Sequence, residues 1–170
     1  MTERFRFDNV GVEDPSDENQ LSGFGWLALW NSRVEYHFSL ADMSVEEAEA
    51  YVQEVLNRLP DVALDAICEK ACEWKTEKMF SDTAHYPEGL AEAEGRRILD
   101  FMSVEDVKLF RNPYDRGDDV FGATLGGGTE WDWENGMEII IRGNQVLEVR
   151  EFLGYDEFAA WEDPNEDEPA

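Results

Sequence analysis

Residues 137–152, MEIIIR, Gly143-Asn144 and QVLEVREF, constrain this chain more than any other stretch. A Gly-Asn pair between two β-rich runs marks a two-residue hairpin turn. Such a turn sets Ile141 opposite Val146 and Ile140 opposite Leu147. Ile139, Ile141 and Val146 then share one face, and Ile140, Leu147 and Val149 the other. Both faces are apolar, as in a strand pair covered on both sides. The hairpin is therefore expected to be central to the fold.

The pattern upstream supplies its partners. Residues 2–8 alternate, with Phe5 and Phe7 against Arg4 and Arg6, and read as a short strand. Residues 13–19 read as an exposed loop. Phe24, Trp26, Ala28 and Trp30 alternate on one face of a strand. A turn at Asn31-Ser32 then leads to a second strand with Val34, Tyr36 and Phe38 on one face and Glu35, His37 and Ser39 on the other. Gly23 and Gly25 suggest a bulge. Residues 44–59 predict a helix: Ser44 and Glu47 form a capping box, and Val45, Ala48, Val52, Val55, Leu56 and Leu59 recur at helical spacing. Pro60 ends it. Asp61 caps a second helix with Leu64, Ile67, Cys68, Ala71, Trp74 and Met79 as its stripe. A break at 85–89 precedes a weaker third helix over 90–102. Period two returns at 104–110 and 120–125, separated by turn chemistry at 112–117, with Gly126–Gly128 as a flexible joint. Strands, then helices, then a β-meander predict a single α+β domain over 1–170. Its expected architecture is an antiparallel sheet with two or three packed helices. Residues 9–20 and 156–170 are expected to be flexible acidic segments.

Charge bounds the partners. Forty Asp and Glu against fourteen Lys and Arg give a net −26 and a pI near 4.1. The ends do not account for it: residues 1–19 carry −4 and residues 162–170 carry −5, which leaves −17 on residues 20–161. Phosphate contacts need basic residues, so direct nucleic-acid binding is excluded as the expected activity, and so is attraction to an anionic membrane. Two cysteines make no disulfide framework, and both are expected to be reduced, in a cytoplasmic protein. The first residues hold no apolar run of the kind found in a signal peptide, and no stretch approaches the ~20 apolar residues of a membrane span.

The run Trp131-Asp132-Trp133-Glu134-Asn135-Gly136-Met137, followed by the closing hairpin, resembles a group of small bacterial domains of unknown function. These end in a WD-x-E-H-G-apolar signature and a two-stranded hairpin, and some are similar to immunity proteins of toxin systems. Trp131, Asp132, Glu134 and Gly136 match, and Asn135 stands where those domains carry histidine. The resemblance implies a binding role against a toxin, with no catalytic site shared through that histidine. It leaves Gly136 a structural part, a turn at positive φ.

Chemistry-bearing clusters are few. His37 and His85 read as structural or exposed, and no nucleophile-elbow, dinucleotide or P-loop pattern occurs. Cys68 and Cys72, four apart on a helix, could join His85 around zinc. They continue or flank an apolar stripe, so the expectation is core packing, without metal or cofactor. Glu130, Asp132 and Glu134 alternate with indoles and would share one face of an extended chain. Such carboxylates could serve calcium, or a hydrolase working through a carboxylate pair. On the first helix Glu46, Glu47 and Glu54 lie opposite the apolar stripe, with Glu49 on its flank. These four, with Asp118, Asp119, Glu130, Asp132 and Glu134, are the candidate partner-binding residues. No residue is assigned a catalytic role. The leading expectation is a non-enzymatic binding protein that neutralises a basic protein partner, an immunity protein in its most concrete form. The alternatives are a DNA mimic from a phage or plasmid, and a metal-dependent or carboxylate-pair hydrolase.

Overall fold

A computed structural model describes residues 4–81, 85–111, 120–132 and 134–152. Its strands are β1 (Asp8–Asp14), β2 (Asp17–Leu27), β3 (Ser32–Ser39), β4 (Met102–Arg111), β5 (Phe121–Thr129), β6 (Met137–Arg142) and β7 (Gln145–Glu151). Two helices, α1 (Val45–Glu54) and α2 (Asp61–Ser81), fall between β3 and β4, with short 3-10 turns at Ala28–Trp30, Leu56–Arg58 and Gly95–Phe101. All seven strands join one sheet in chain order.

The antiparallel expectation is overturned at one seam. Tyr36 of β3 pairs with Val107 of β4 in parallel, so the sheet is mixed. Parallel neighbours need a crossover connection of a dozen residues or more, and α1 and α2 lie within that crossover. Strand outweighs helix, so the architecture is a single mixed sheet rather than an antiparallel sheet packed with helices. The expected third helix is reduced to a turn at 88–92 and the 3-10 stretch Gly95–Phe101, where Ile98 is buried.

The core lies on the sheet face that the two helices meet. Ala48, Val52, Ile67 and Ala71 from the helices join Tyr36, Val107, Leu125, Ile139 and Ile141 from the strands. Ser44 caps α1 as its sequence requires: its side chain accepts from the Glu47 amide while the Glu47 carboxylate accepts from Ser44.

The N-terminal segment departs most from the sequence reading. Residues 4–7 form no strand, and β1 occupies part of the segment expected to be a loop. Phe7 N–H donates to the Glu49 carboxylate at 2.8 Å, and Phe5 N–H to Gln53 Oε1 at 2.9 Å, so α1 supplies the acceptors a neighbouring strand would have given. The rings of Phe5 and Phe7 pack against Tyr36, at 5.9 and 5.2 Å. They lie over Gly23 and Gly25, where an added Cβ would meet Phe7 Cβ at 2.9 Å and Phe5 Cζ at 2.4 Å. These glycines thus make room for aromatic rings, and β2 pairs with β3 in unbroken register with no bulge. The inward face of β2 is Leu21, Gly23, Gly25 and Leu27. Phe24 and Trp26 face outward, and Ala28 and Trp30 belong to a 3-10 turn.

β1 is exposed along its whole length, and its pairing with β2 shifts register twice. The β1–β2 turn is held by Asp14, whose carboxylate accepts the Ser16 amide at 2.8 Å. That bond lowers the Asp14 pKa.

The glycine run is strand rather than joint. β5 continues through Gly126–Gly128 to Thr129, pressed against β4 where the latter bulges between Val104 and Asp106. A Cβ on Gly127 would sit 1.8 Å from the Ser103 carbonyl oxygen, which no side chain tolerates.

The closing hairpin turns at Gly143-Asn144 with Ile141 opposite Val146, as its sequence predicts. A register shift after Ile141 then sets Ile140 opposite Glu148 rather than Leu147, and puts Val149 opposite Ile139 on the core face. Ile140, fully buried, packs on the other face with Phe110, Val120 and Leu147. Residues 112–117 and 156–170, expected as a turn and a flexible segment, lie outside the described residues. Among the described residues no helix is long and apolar enough to cross a membrane.

Candidate functional site

Asp61, Asp65, Glu69, Glu73 and Glu77 recur every fourth residue of α2, and all five are exposed. A four-residue step nearly closes one helical turn, so the carboxylates form a row that rises about 6 Å per step. Like charges at this spacing repel. Arg96, from the 3-10 stretch, answers only the first two, at 3.1 Å from Asp61 and 3.3 Å from Asp65.

A groove of about 730 Å³ runs beside the row. Asp65, Glu69, Glu73, Glu77 and Glu94 line it together with the thiols of Cys68 and Cys72, and its lining contains no Lys or Arg. Cys68 is buried, and that burial pushes its thiol pKa up. Cys72 is half-buried, its Sγ 3.8 Å from the Ala93 carbonyl oxygen.

The far wall of this groove is fastened by a cation that periodicity hides. Lys75 falls on the buried side of α2 and is 4% exposed. Its ammonium donates to the carbonyl oxygens of Leu90 at 3.0 Å, Ala91 at 3.4 Å and Ala93 at 2.7 Å. An ammonium has three protons, and each finds an acceptor here. Trp74 packs edge-on against Trp131, centroids 5.3 Å apart, and so seats the middle of α2 on the β5–β6 connection.

That connection separates the carboxylates expected to share a face. Glu130 and Glu134 are exposed, whereas Asp132 is 3% exposed and does structural work. Its backbone N–H donates to Thr129 Oγ1, and its Oδ1 accepts from Asn135 Nδ2 at 3.0 Å. Its Oδ2 lies 3.9 Å from Lys78 Nζ. Asn135 thus closes the turn, and Gly136 follows at φ +74°.

The α1 acids divide as well. Glu46, Glu47 and Glu54 are exposed, with Glu47 engaged in the capping box. Glu49 is 9% exposed and committed to Phe7, so it presents no charge to a partner. Asp118 and Asp119 lie outside the described residues. His85 is exposed. Among the described residues one group of three side chains has ligating atoms mutually within 4.8 Å: Glu13, Glu35 and His37. His37 Nδ1 meets Glu13, and Nε2 lies 3.6 Å from Glu35. With each ring nitrogen turned to a different carboxylate, the imidazole works as a clamp from β1 to β3 across β2.

The α2 row shares its helix with an apolar stripe, which is the stronger pattern in the sequence. The signal was present: five acids at a constant interval of four inside one helix. Residues 17–155 match the family model described as Domain of unknown function (DUF6985). No curated protein and no solved structure matches the chain.

Proposed function

The chain belongs to the DUF6985 family, a domain of unknown function, and we propose that it is a non-enzymatic cytoplasmic binding protein that captures a basic protein partner in the α2 groove. One observation carries this reading: five carboxylates line a single groove that holds no cation of its own. An Arg or Lys side chain from a partner would complete the charge balance that Arg96 begins at the N-terminal end of the row. Complementary charge raises association rates, from about 10⁵–10⁶ to as much as 10⁸–10⁹ M⁻¹s⁻¹ at low salt, and rejects acidic competitors. The exposed Glu46, Glu47, Glu54, Glu130 and Glu134 extend the same field beyond the groove. An immunity protein that blocks a basic toxin is the most concrete form of this function, suggested by the resemblance to the WD-x-E-H-G signature, which Trp131, Asp132, Glu134 and Gly136 match and Asn135 does not.

A pull-down from host lysate, washed at low and then high salt, supplies the partner. Reversal of Glu69 and Glu73 to lysine should then slow association without unfolding the domain. Added salt should narrow the gap between variant and parent, because it screens exposed charges. The same reversal at Glu46 and Glu54 should have the smaller effect. A partner that is neutral or acidic where it touches, or binding insensitive to salt, reduces the charge to a solubility device. Duplex DNA competing for the same partner site would favour the mimic reading instead. The hydrolase alternative draws no support from the carboxylate trio, since Asp132 is turned inward and its neighbours outward.

A further inference from the structure

A second groove carries the opposite sign. β1 begins opposite Phe24, so β2 runs on past it, and residues 4–6 pass beside its uncovered end. Arg4 and Arg6 come from that segment, Arg33 from the start of β3 and Arg58 from the end of the 3-10 turn after α1. These are four of the chain's ten arginines, and all line one cleft of about 530 Å³. Asp8 is the only acid in the lining among the described residues. It lies 3.8 Å from Arg33, with both side chains more than half exposed. No carboxylate among the described residues pairs with Arg4, Arg6 or Arg58.

In a chain where acids outnumber bases forty to fourteen, three unpaired arginines in one cleft need a physical account. Among the described residues none relieves their mutual repulsion, and an anion from outside would do so. Guanidinium forks match phosphate oxygens two at a time, and several such forks around one cleft suit a ligand with more than one negative charge. The cleft also has an aromatic rim: Trp26 is 47% exposed although it sits inside a strand. The backbone that carries this indole is anchored, since Asn57 Nδ2 and the Tyr36 hydroxyl both donate to the Trp26 carbonyl oxygen, at 3.1 and 2.9 Å. Exposed indoles stack on planar rings, and the volume lies within the range of small-molecule sites.

We propose that this cleft binds a small, multiply charged phosphate ester that carries a planar ring, with the chemistry of a nucleoside diphosphate. The arginines hold the phosphates and Trp26 stacks the ring. The site is independent of the α2 groove, and Arg4 and Arg6 precede the stretch that matches the family model.

Calorimetric titration of the full chain with adenosine diphosphate, pyrophosphate and adenosine tests this. Adenosine diphosphate should bind, pyrophosphate more weakly, and adenosine not at all. The exposed pair Arg6→Gln and Arg58→Gln should weaken adenosine diphosphate by about tenfold or more, with an unchanged melt. Trp26→Ala should bring adenosine diphosphate down to the level of pyrophosphate. No heat at millimolar adenosine diphosphate, or full binding by the arginine pair variant, overturns the proposal. So does an oligoglutamate that binds where the nucleotide does not, since the site then serves an acidic polypeptide. Equal affinity for pyrophosphate and adenosine diphosphate in the parent overturns the role of Trp26.

Discussion

The acidic and basic grooves are assembled in different ways. The acidic one draws four of its five carboxylates from a single helix, at an interval the α-helix itself makes collinear. The basic one draws its arginines from three separate segments, and only Arg4 and Arg6, two apart in an extended stretch, lie at a spacing that signals a shared face. A groove built on one helix keeps its charge pattern whenever that helix forms. A groove built from three segments exists only when tertiary contacts hold them, and here Glu49, Gln53 and Asn57 are those contacts. Charge surfaces of the first kind are written in local sequence, and those of the second kind in the packing.

The largest expected effect is on the wall of the acidic groove. Lys75→Met removes three hydrogen bonds from a charged donor, each worth about 1.5–3 kcal/mol. Leu90 O keeps the Ala93 N–H at 3.1 Å, but among the described residues Ala93 O keeps only the Cys72 thiol at 3.8 Å. A loss of roughly 2–5 kcal/mol in urea denaturation is expected. An unchanged midpoint would mean that the ammonium reaches water and the wall stands without it.

A smaller loss should separate the two grooves. Glu49→Ala leaves the Phe7 amide without its acceptor, at about 1–3 kcal/mol. It should release residues 4–7 and abolish binding in the arginine cleft without touching an arginine. Capture of the basic partner should be unaffected, and Glu49→Gln, which keeps an acceptor, should restore part of the binding in the cleft. Loss of partner capture along with the cleft would show that the grooves act as one surface.

The mildest test reads the sign of the acidic groove directly. Cys72 borders it, so a neutral disulfide should modify Cys72 severalfold faster than a dianionic disulfide of similar size and matched reactivity toward a free thiol, and salt should close the gap. Cys68 should lag behind Cys72. Its burial raises the thiol pKa, so the reactive thiolate is scarce until the pH climbs. Equal rates for both reagents at low salt would show that the row's field does not reach the groove.

Local chemistry was legible in the residues. The capping box of Ser44 and Glu47, the turn at Gly143-Asn144 and the positive φ of Gly136 depend on neighbours within a few positions, and each stands where the residues place it. The parallel pairing of β3 with β4 was not, because nothing within either strand encodes a partner reached across a helical crossover. β1 was missed for another reason: both its faces meet solvent, and its apolar alternation is limited to Val10 and Val12 amid Asp, Asn, Gly and Glu, which read as a loop. Gly126–Gly128 misled in the opposite sense, since glycine required by a close backbone approach looks the same in sequence as glycine that permits bending. At the candidate site, acid count alone could not distinguish Glu49 and Asp132, both turned inward, from their exposed neighbours.

The irregular pairing of β1 bears on whether another chain can add a strand to this sheet. A seven-stranded sheet has two free margins, and a straight margin is a template on which another chain can add a strand. β1 closes one margin with Asp8, Glu13 and Asp14 and with two breaks in register, so its unpaired amides and carbonyls present no continuous ladder. Val10 and Val12 are 42% and 51% exposed and would be the sticky points of a flat strand. Set in a kinked and negatively charged ribbon, they offer an incoming chain no extended line to zip along. A change that straightened this ribbon and removed its acids would therefore show first as aggregation rather than as a lower melting temperature.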